Sequence, residues 1–349
     1  MIKKSMFYMI LLIFIAIIFS SCDGNDKLEV IKKDDKIVVG FLMDTLKEER
    51  WQRDRDIFVA ESEKLGAEVL VIAANGDDEK QIEQAKYLLN KGVDILVVVP
   101  HDAVVAKEIV DMAHKDNVKV IAYDRMIEGD VDYYISFDNE KVGELQGNYL
   151  VENLKITEGN MVYIGGANTD NNAHQFRDGV INVLENYDGI NILYDEYTDD
   201  WKTSVAREHM EFALNITDEK IDAVICANDA IAGAIYSLFA EKKMKSILIG
   251  QDAEISACQR IVEDKQTMTV YKDVRVLAKN AAKMVIDIVN GKEINMTRVV
   301  ENDFKDVNSI LLEPVIVDKD NMMELIIKSG FHKFEDVYRN ISADDRPNY

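Results

Sequence analysis

Short, uninterrupted apolar runs alternate with longer amphipathic stretches along most of this 349-residue chain, and that rhythm constrains the fold more than any other feature. KIVVGF (36–41), AEVLVIAA (67–74), DILVVV (94–99) and VKVIAY (118–123) are rich in β-branched residues. Between them the spacing predicts helices over 49–64, 79–92 and 103–114. In the second of these Ile82, Ala85, Leu88 and Leu89 share one face and a glycine ends the helix. A strand apolar at every position is covered on both faces, and a helix between successive strands makes them parallel. The rhythm restarts after YYISFDN (133–139), with strands at NMVYIGG, INILYDEY, DAVICAND and SILIGQD and helices over 142–153, 174–184, 204–215 and 230–240. Two α/β halves in tandem follow, each a Rossmann-like, doubly wound parallel sheet, because more than 300 residues exceed one ordinary core.

The first residues stand outside this pattern. Lys3 and Lys4 precede an apolar run of 14 residues (6–19), too short to span a bilayer, which needs about 20. A signal peptide over 1–21 is the reading. FSSC resembles a bacterial lipobox, which implies cleavage before Cys22, acylation of its thiol, and attachment to a membrane through that lipid alone. Residues 22–35 are polar enough to serve as a tether. The formal net charge is −23, and loss of the two leader lysines makes it more negative, which opposes binding to nucleic acid or anionic lipid. Cys226 and Cys258 sit in apolar surroundings and read as small core residues rather than a disulfide framework.

In open parallel sheets, ligands bind beyond the carboxyl ends of the strands. Those positions hold Asp44, then Arg50 and Trp51; Asn75; Asp124 and Arg125; Asp170, Asn171 and Asn172; Trp201; Asn228 and Asp229; Gln251 and Asp252; and Lys272. Both tryptophans of the chain are among them. A pyranose has an apolar C–H face and a rim of hydroxyls, and suits aromatic plates flanked by charged hydrogen-bonding groups. Against this, Trp51 taken alone is more often a partly buried helix anchor than a ligand plate, Asp124-Arg125 fits a solvated or local ion pair, and Asp229 a helix N-cap.

ERWQRDRDIFV, AANGDDEKQ, AYDRMI, YISFDNEKVGELQ, DNNAHQFRDG, CANDAIAGA, IGQDAE, QTMTVYK and KSGFHK resemble the periplasmic D-xylose-binding proteins of ABC sugar importers, in the type I, ribose-binding-like group, from residue 36 to 333. The resemblance implies two lobes joined by three hinge crossings: 36–138 with 273–303, and 139–272 with 304–335, leaving 336–349 as a tail. It also implies one pentopyranose held by Arg50, Trp51, Asp124, Arg125, Asp170, Asn172, Trp201, Asn228, Asp252 and Lys272. The implied partner is an ABC permease and the implied state a monomer. DDW (199–201) departs from the family where a glycine is expected before the tryptophan, CAND departs at a serine, and the tail runs past the usual end.

No P-loop, G-x-G-x-x-G, H-E-x-x-H or EF-hand-like loop occurs, so neither a cofactor nor a metal is expected. Other monosaccharides (arabinose, ribose, glucose) fit the same site chemistry. A sugar-sensing subunit for a chemoreceptor or kinase would present an identical pocket. With 64 acidic residues some carboxylate pair always has glycosidase spacing, so that pattern weighs little for a hydrolase.

Overall fold

The computed structural model describes residues 36–217 and 220–348. The leader, Cys22 and the tether lie outside the described residues. The first half runs β1 (Val38–Met43), α1 (Glu49–Lys64), β2 (Glu68–Ala73), α2 (Asp78–Asn90), β3 (Ile95–Val98), α3 (Lys107–Lys115), β4 (Lys119–Tyr123) and β5 (Tyr133–Phe137). The second runs α4 (Asn139–Asn148), β6 (Glu158–Ile164), α5 (Asn171–Leu184), β7 (Gly189–Glu196), α6 (Thr203–Ile216), β8 (Ala223–Cys226), α7 (Asp229–Lys242), β9 (Ile247–Gln251), α8 (Ile255–Val262) and β10 (Met268–Tyr271). The chain then returns to the first half with α9 (Val274–Val289), β11 (Arg298–Glu301) and β12 (Asp306–Leu312), and ends in the second with β13 (Val315–Val317) and the short α10 (Phe334–Val337).

Two sheets result. Their strand orders are β11-β12-β5-β4-β3-β1-β2 and β13-β10-β9-β8-β6-β7. Every pairing is parallel except the edge pairs β11 with β12 and β13 with β10. In β1 successive residues face opposite ways and both faces are apolar. Phe41 packs with Phe58 and Tyr123 and with Leu277 and Val285 of α9, while Leu42 packs with Leu88, Val98 and Ile109. Each sheet therefore has a core on both sides, which explains the continuous apolar runs.

Side chains leaving the carboxyl ends of strands start several helices. Asp138 accepts from the Lys141 amide, Asp170 from Asn172, and Asn228 from Ile231, each satisfying an otherwise orphaned N–H. The same loops thus build helix starts and line the space beyond the strands.

Two boundaries differ from the sequence reading. Residues 304–335 were expected in the second lobe, but β12 pairs in parallel with β5, Ser309 opposite Tyr134 and Leu312 opposite Phe137. Residues 306–312 therefore belong to the first sheet, and the passage to the second falls at 313–314. The cause is a pairing across some 170 residues, with Val307 buried in the first core. The expected tail at 336–349 is also not all tail. Val337 and Tyr338 are buried with Cys258, Met322 and Phe331 in a core of the second half. Cys226 and Cys258 are free and buried.

Candidate functional site

All ten residues carried over from the resemblance line a single cavity, together with Glu48, Phe176 and Gln251. Arg50 and Trp51 come from the start of α1, and Asp124 and Arg125 from the end of β4. Asp170 and Asn172 follow β6, Trp201 follows β7, Asn228 β8, Asp252 β9 and Lys272 β10. Both halves thus contribute.

Ion pairs organise the walls. Arg50 Nη2 donates to Asp124 Oδ2 at 2.5 Å, and its Nη1 lies 3.6 Å from Asp252 Oδ1 in the other half. Lys272 Nζ, with a residue exposure of 2%, is 2.9 Å from the same Asp252 oxygen. Arg125 bridges Asp44 Oδ2 (2.8 Å) and, across the halves, Asp170 Oδ2 (2.7 Å). Asn172 Nδ2 donates to the Asp124 carbonyl at 3.0 Å, a second link between the halves. These contacts define a closed arrangement. Burial alone would raise the Asp124 carboxyl, but Arg50 and Lys272 hold it below the ordinary carboxylate range. Asp170 is raised, because burial outweighs Arg125 beside it.

The two indoles differ. Trp51 is 4% exposed and belongs both to the first core and to the cavity wall, with the Arg50 guanidinium 4.2 Å from its ring centre and that of Arg125 at 5.3 Å. The anchor reading therefore describes it, and the ring also forms part of the cavity wall. Trp201 is half-buried against the apolar clusters of the second half, and its Nε1 donates to Asp170 Oδ2 at 3.2 Å.

Several of these residues occupy backbone conformations that side chains rarely adopt. Asp124 has φ 64°, Asp200 51°, Trp201 55°, Asp252 96° and Ala253 51°. Each such residue costs on the order of 1–3 kcal/mol and persists only where its surroundings over-determine it, a signature of functional sites. The glycine expected at 200 is explained by this conformation, which Asp tolerates better than most side chains.

Three lining residues stand outside the ten carried-over contacts. Glu48 precedes α1 without capping it, and its Oε2 is buried with no hydrogen-bond partner among the described residues. Burial pushes its carboxyl up. Gln251 Oε1 is likewise unpartnered among the described residues. Gln251 appears among the strand ends, so position alone pointed to it, whereas Phe176 lies inside α5 with no local signal. Asp229 is not a helix cap: Asn228 performs that role, while the Asp229 carboxylate accepts from Gln266 Nε2 (2.7 Å), Thr269 Oγ1 (2.8 Å) and the Glu254 amide (3.1 Å). A wider open groove between Lys155, Asp222 and Lys265 lies at the amino ends of the second sheet's strands and contains none of the strand-end groups.

A two-lobed fold closed over a charged cavity at its strand ends is the architecture of a solute-binding protein, and the chain belongs to the periplasmic binding protein domain family, whose model matches residues 39–293. It is 44% identical over 304 residues to the D-xylose-binding periplasmic protein of Escherichia coli (strain K12), across 85% of this chain and 92% of that one. It is also 44% identical over 306 residues to the protein of the same name from Haemophilus influenzae, across 86% and 92%. Among solved structures, an ABC transporter solute binding protein from Clostridium phytofermentans with bound β-D-glucose superposes with a TM-score of 0.80 and 32% identity, across 86% of this chain and 99% of that one.

Proposed function

We propose that this protein captures D-xylose outside the cytoplasmic membrane and delivers it to an ABC permease, acting as a monomer held to the membrane by a lipid on Cys22. The mechanism is binding without bond chemistry. Open and closed forms interconvert, and a sugar that touches both lobes favours the closed form by its difference in affinity for the two. The ten carried-over residues are the proposed sugar contacts, with the three passages between the sheets as the hinge. The observation that carries the reading is the cavity itself. It joins two indoles to fixed carboxylates, guanidiniums and one ammonium from both lobes. The names of the two relatives at 44% identity direct the choice among sugars to D-xylose.

Melting curves against D-xylose, D-ribose, L-arabinose and D-glucose test this. A ligand of the native state raises the melting temperature by mass action, so D-xylose should give the largest rise. No rise with any of the four would overturn the reading. A larger rise with D-glucose would favour the second reading, a hexose receptor, which the β-D-glucose in the Clostridium phytofermentans protein supports. The anchor is tested separately: Cys22→Ser should move the protein from the membrane fraction to the soluble one.

A further inference from the structure

The turn carrying Asp252 is strained at two consecutive residues, yet it aims the carboxylate shared by Arg50 and Lys272. Several groups hold it. The Asp252 amide donates to the Val270 carbonyl (2.8 Å), the Ala253 amide to Thr269 Oγ1 (3.1 Å) and the Glu254 amide to Asp229 Oδ2 (3.1 Å). The Ala253 carbonyl accepts a weak bond from the Cys258 thiol (3.6 Å) and lies 2.8 Å from Nε2 of His332, a residue only 6% exposed, on the C-terminal segment.

The same imidazole reaches the other lobe. Its Nδ1 is 3.0 Å from Arg53 Nη2, on α1 three residues beyond Arg50. Arg53 also donates to the Phe331 carbonyl (3.0 Å) and to Glu49 Oε1 (2.6 Å), and its guanidinium lies 4.5 Å from the centre of the Phe331 ring. A carbonyl only accepts and a guanidinium only donates, so the two bonds together require a neutral ring with its proton on Nε2. We propose that His332 is a positioning residue that couples lobe closure to the aim of Asp252, one ring nitrogen holding the strained turn and the other accepting Arg53 from the facing lobe. This rests on the sugar-binding reading.

Protonation would place a hydrogen on Nδ1 against the Arg53 guanidinium and break the ring's own link to the facing lobe, leaving Arg53 its bond to the Phe331 carbonyl. Burial holds the ring below the ordinary histidine range; the Ala253 carbonyl opposes that and Arg53 adds to it, while Glu49 of α1 and Asp336 of the C-terminal segment pull upward. Other titratable and charged groups face the same turn and segment: burial pushes Glu254 up to about 8, Asp229, which accepts from the Glu254 amide, up to about 7, and the Cys258 thiol upward, while Arg275 lies over the Phe331 ring. The neutral ring is thus present above its depressed range and lost as pH falls through it, so acidification favours the open form.

Two measurements decide the matter. With five histidines in the chain, comparing nitrogen-detected NMR spectra of the unaltered protein and His332→Gln assigns the His332 ring. The expected result is an Nε2–H tautomer that stays neutral to below the usual histidine titration. Calorimetry with D-xylose at pH 7.5 and 5.5 should show His332→Ala weaker by about tenfold at pH 7.5, from loss of a buried hydrogen-bond partner. His332→Gln should bind within about threefold of the unaltered protein at pH 7.5, since a carboxamide can donate to Ala253 and accept from Arg53. It should also bind more tightly than the unaltered protein at any pH below the His332 titration that the spectra record. An Nδ1–H tautomer, a ring charged at pH 7.5, or His332→Ala matching the unaltered protein at both pH values would overturn the proposal. No sugar response from the unaltered protein would count against the sugar reading instead, and the NMR result would still judge the clamp.

Discussion

A single methyl group on a residue that is not itself a proposed sugar contact should dismantle one wall of the cavity. Gly166 is buried beneath Trp201, and a Cβ there would overlap three atoms of the indole's six-membered ring. The ring is not a flexible chain end, its backbone is already at φ 55°, and its other side packs on the apolar clusters of the second lobe. In Gly166→Ala the indole must therefore swing away and carry Nε1 off Asp170, or the lobe must absorb an overpacking cost of about 1–3 kcal/mol. A hydrogen bond to a charged group contributes about 1.5–3 kcal/mol, so D-xylose affinity should fall by roughly ten- to a hundredfold. Calorimetry measures the loss. Tryptophan fluorescence locates it, because the only other tryptophan, Trp51, is deeply buried in the other lobe. Trp201→Phe keeps an aromatic plate but lacks the N–H, and should lose about tenfold by the same hydrogen-bond magnitude. Gly166→Ala binding D-xylose within a factor of two of the unaltered protein would refute the reasoning.

Other perturbations follow from the same geometry. Lys272→Met leaves the Asp252 carboxylate with only the longer contact to Arg50, and breaking a buried pair costs about 3–5 kcal/mol, so urea melts should shift strongly and D-xylose affinity should drop more than tenfold; unchanged melts would contradict the ion-pair account. Burial raises Asp54 to about 7, Asp229 to about 7 and Glu254 to about 8. Carboxyls raised in the fold keep their contribution below the unfolded value, near 4, and lose it as pH climbs through the folded value. Stability should therefore fall by on the order of 3 kcal/mol between pH 6.5 and 8.5, and Asp54→Asn should flatten part of that slope; equal urea midpoints at the two pH values would sink this. Asn302 is buried and its Nδ2 donates to the carbonyls of Ile127 (2.7 Å) and Gly129 (2.8 Å), so Asn302→Ala should lower stability by about 1–3 kcal/mol while leaving sugar affinity intact.

What the sequence disclosed and what it hid have physical reasons. Strands such as β1 and β3 announce themselves because both faces are buried, and their carboxyl ends then specify where to look for a ligand. The same logic fails at β11. Arg298, Val299 and Glu301 are exposed, so this four-residue edge strand has no apolar run to show, and the partnership of β12 with β5 is decided far along the chain. The helices α8 and α9 passed unread between motifs that drew attention to their flanks. Asp124 and Asp252 carry no local mark of their left-handed backbone, since aspartate, unlike glycine, does not advertise it. Asp229 looked like a cap because it sits one residue from the true one.

The passages between the sheets are very short: residue 138, residues 272–273 and residues 313–314 separate elements of different lobes. A residue spans at most about 3.6 Å, so the lobes cannot slide apart along that edge and are left with rotation about it. Lys272 lies in one of these passages and holds the Asp252 carboxylate at 2.9 Å, so the proposed hinge and the proposed sugar contacts share a residue.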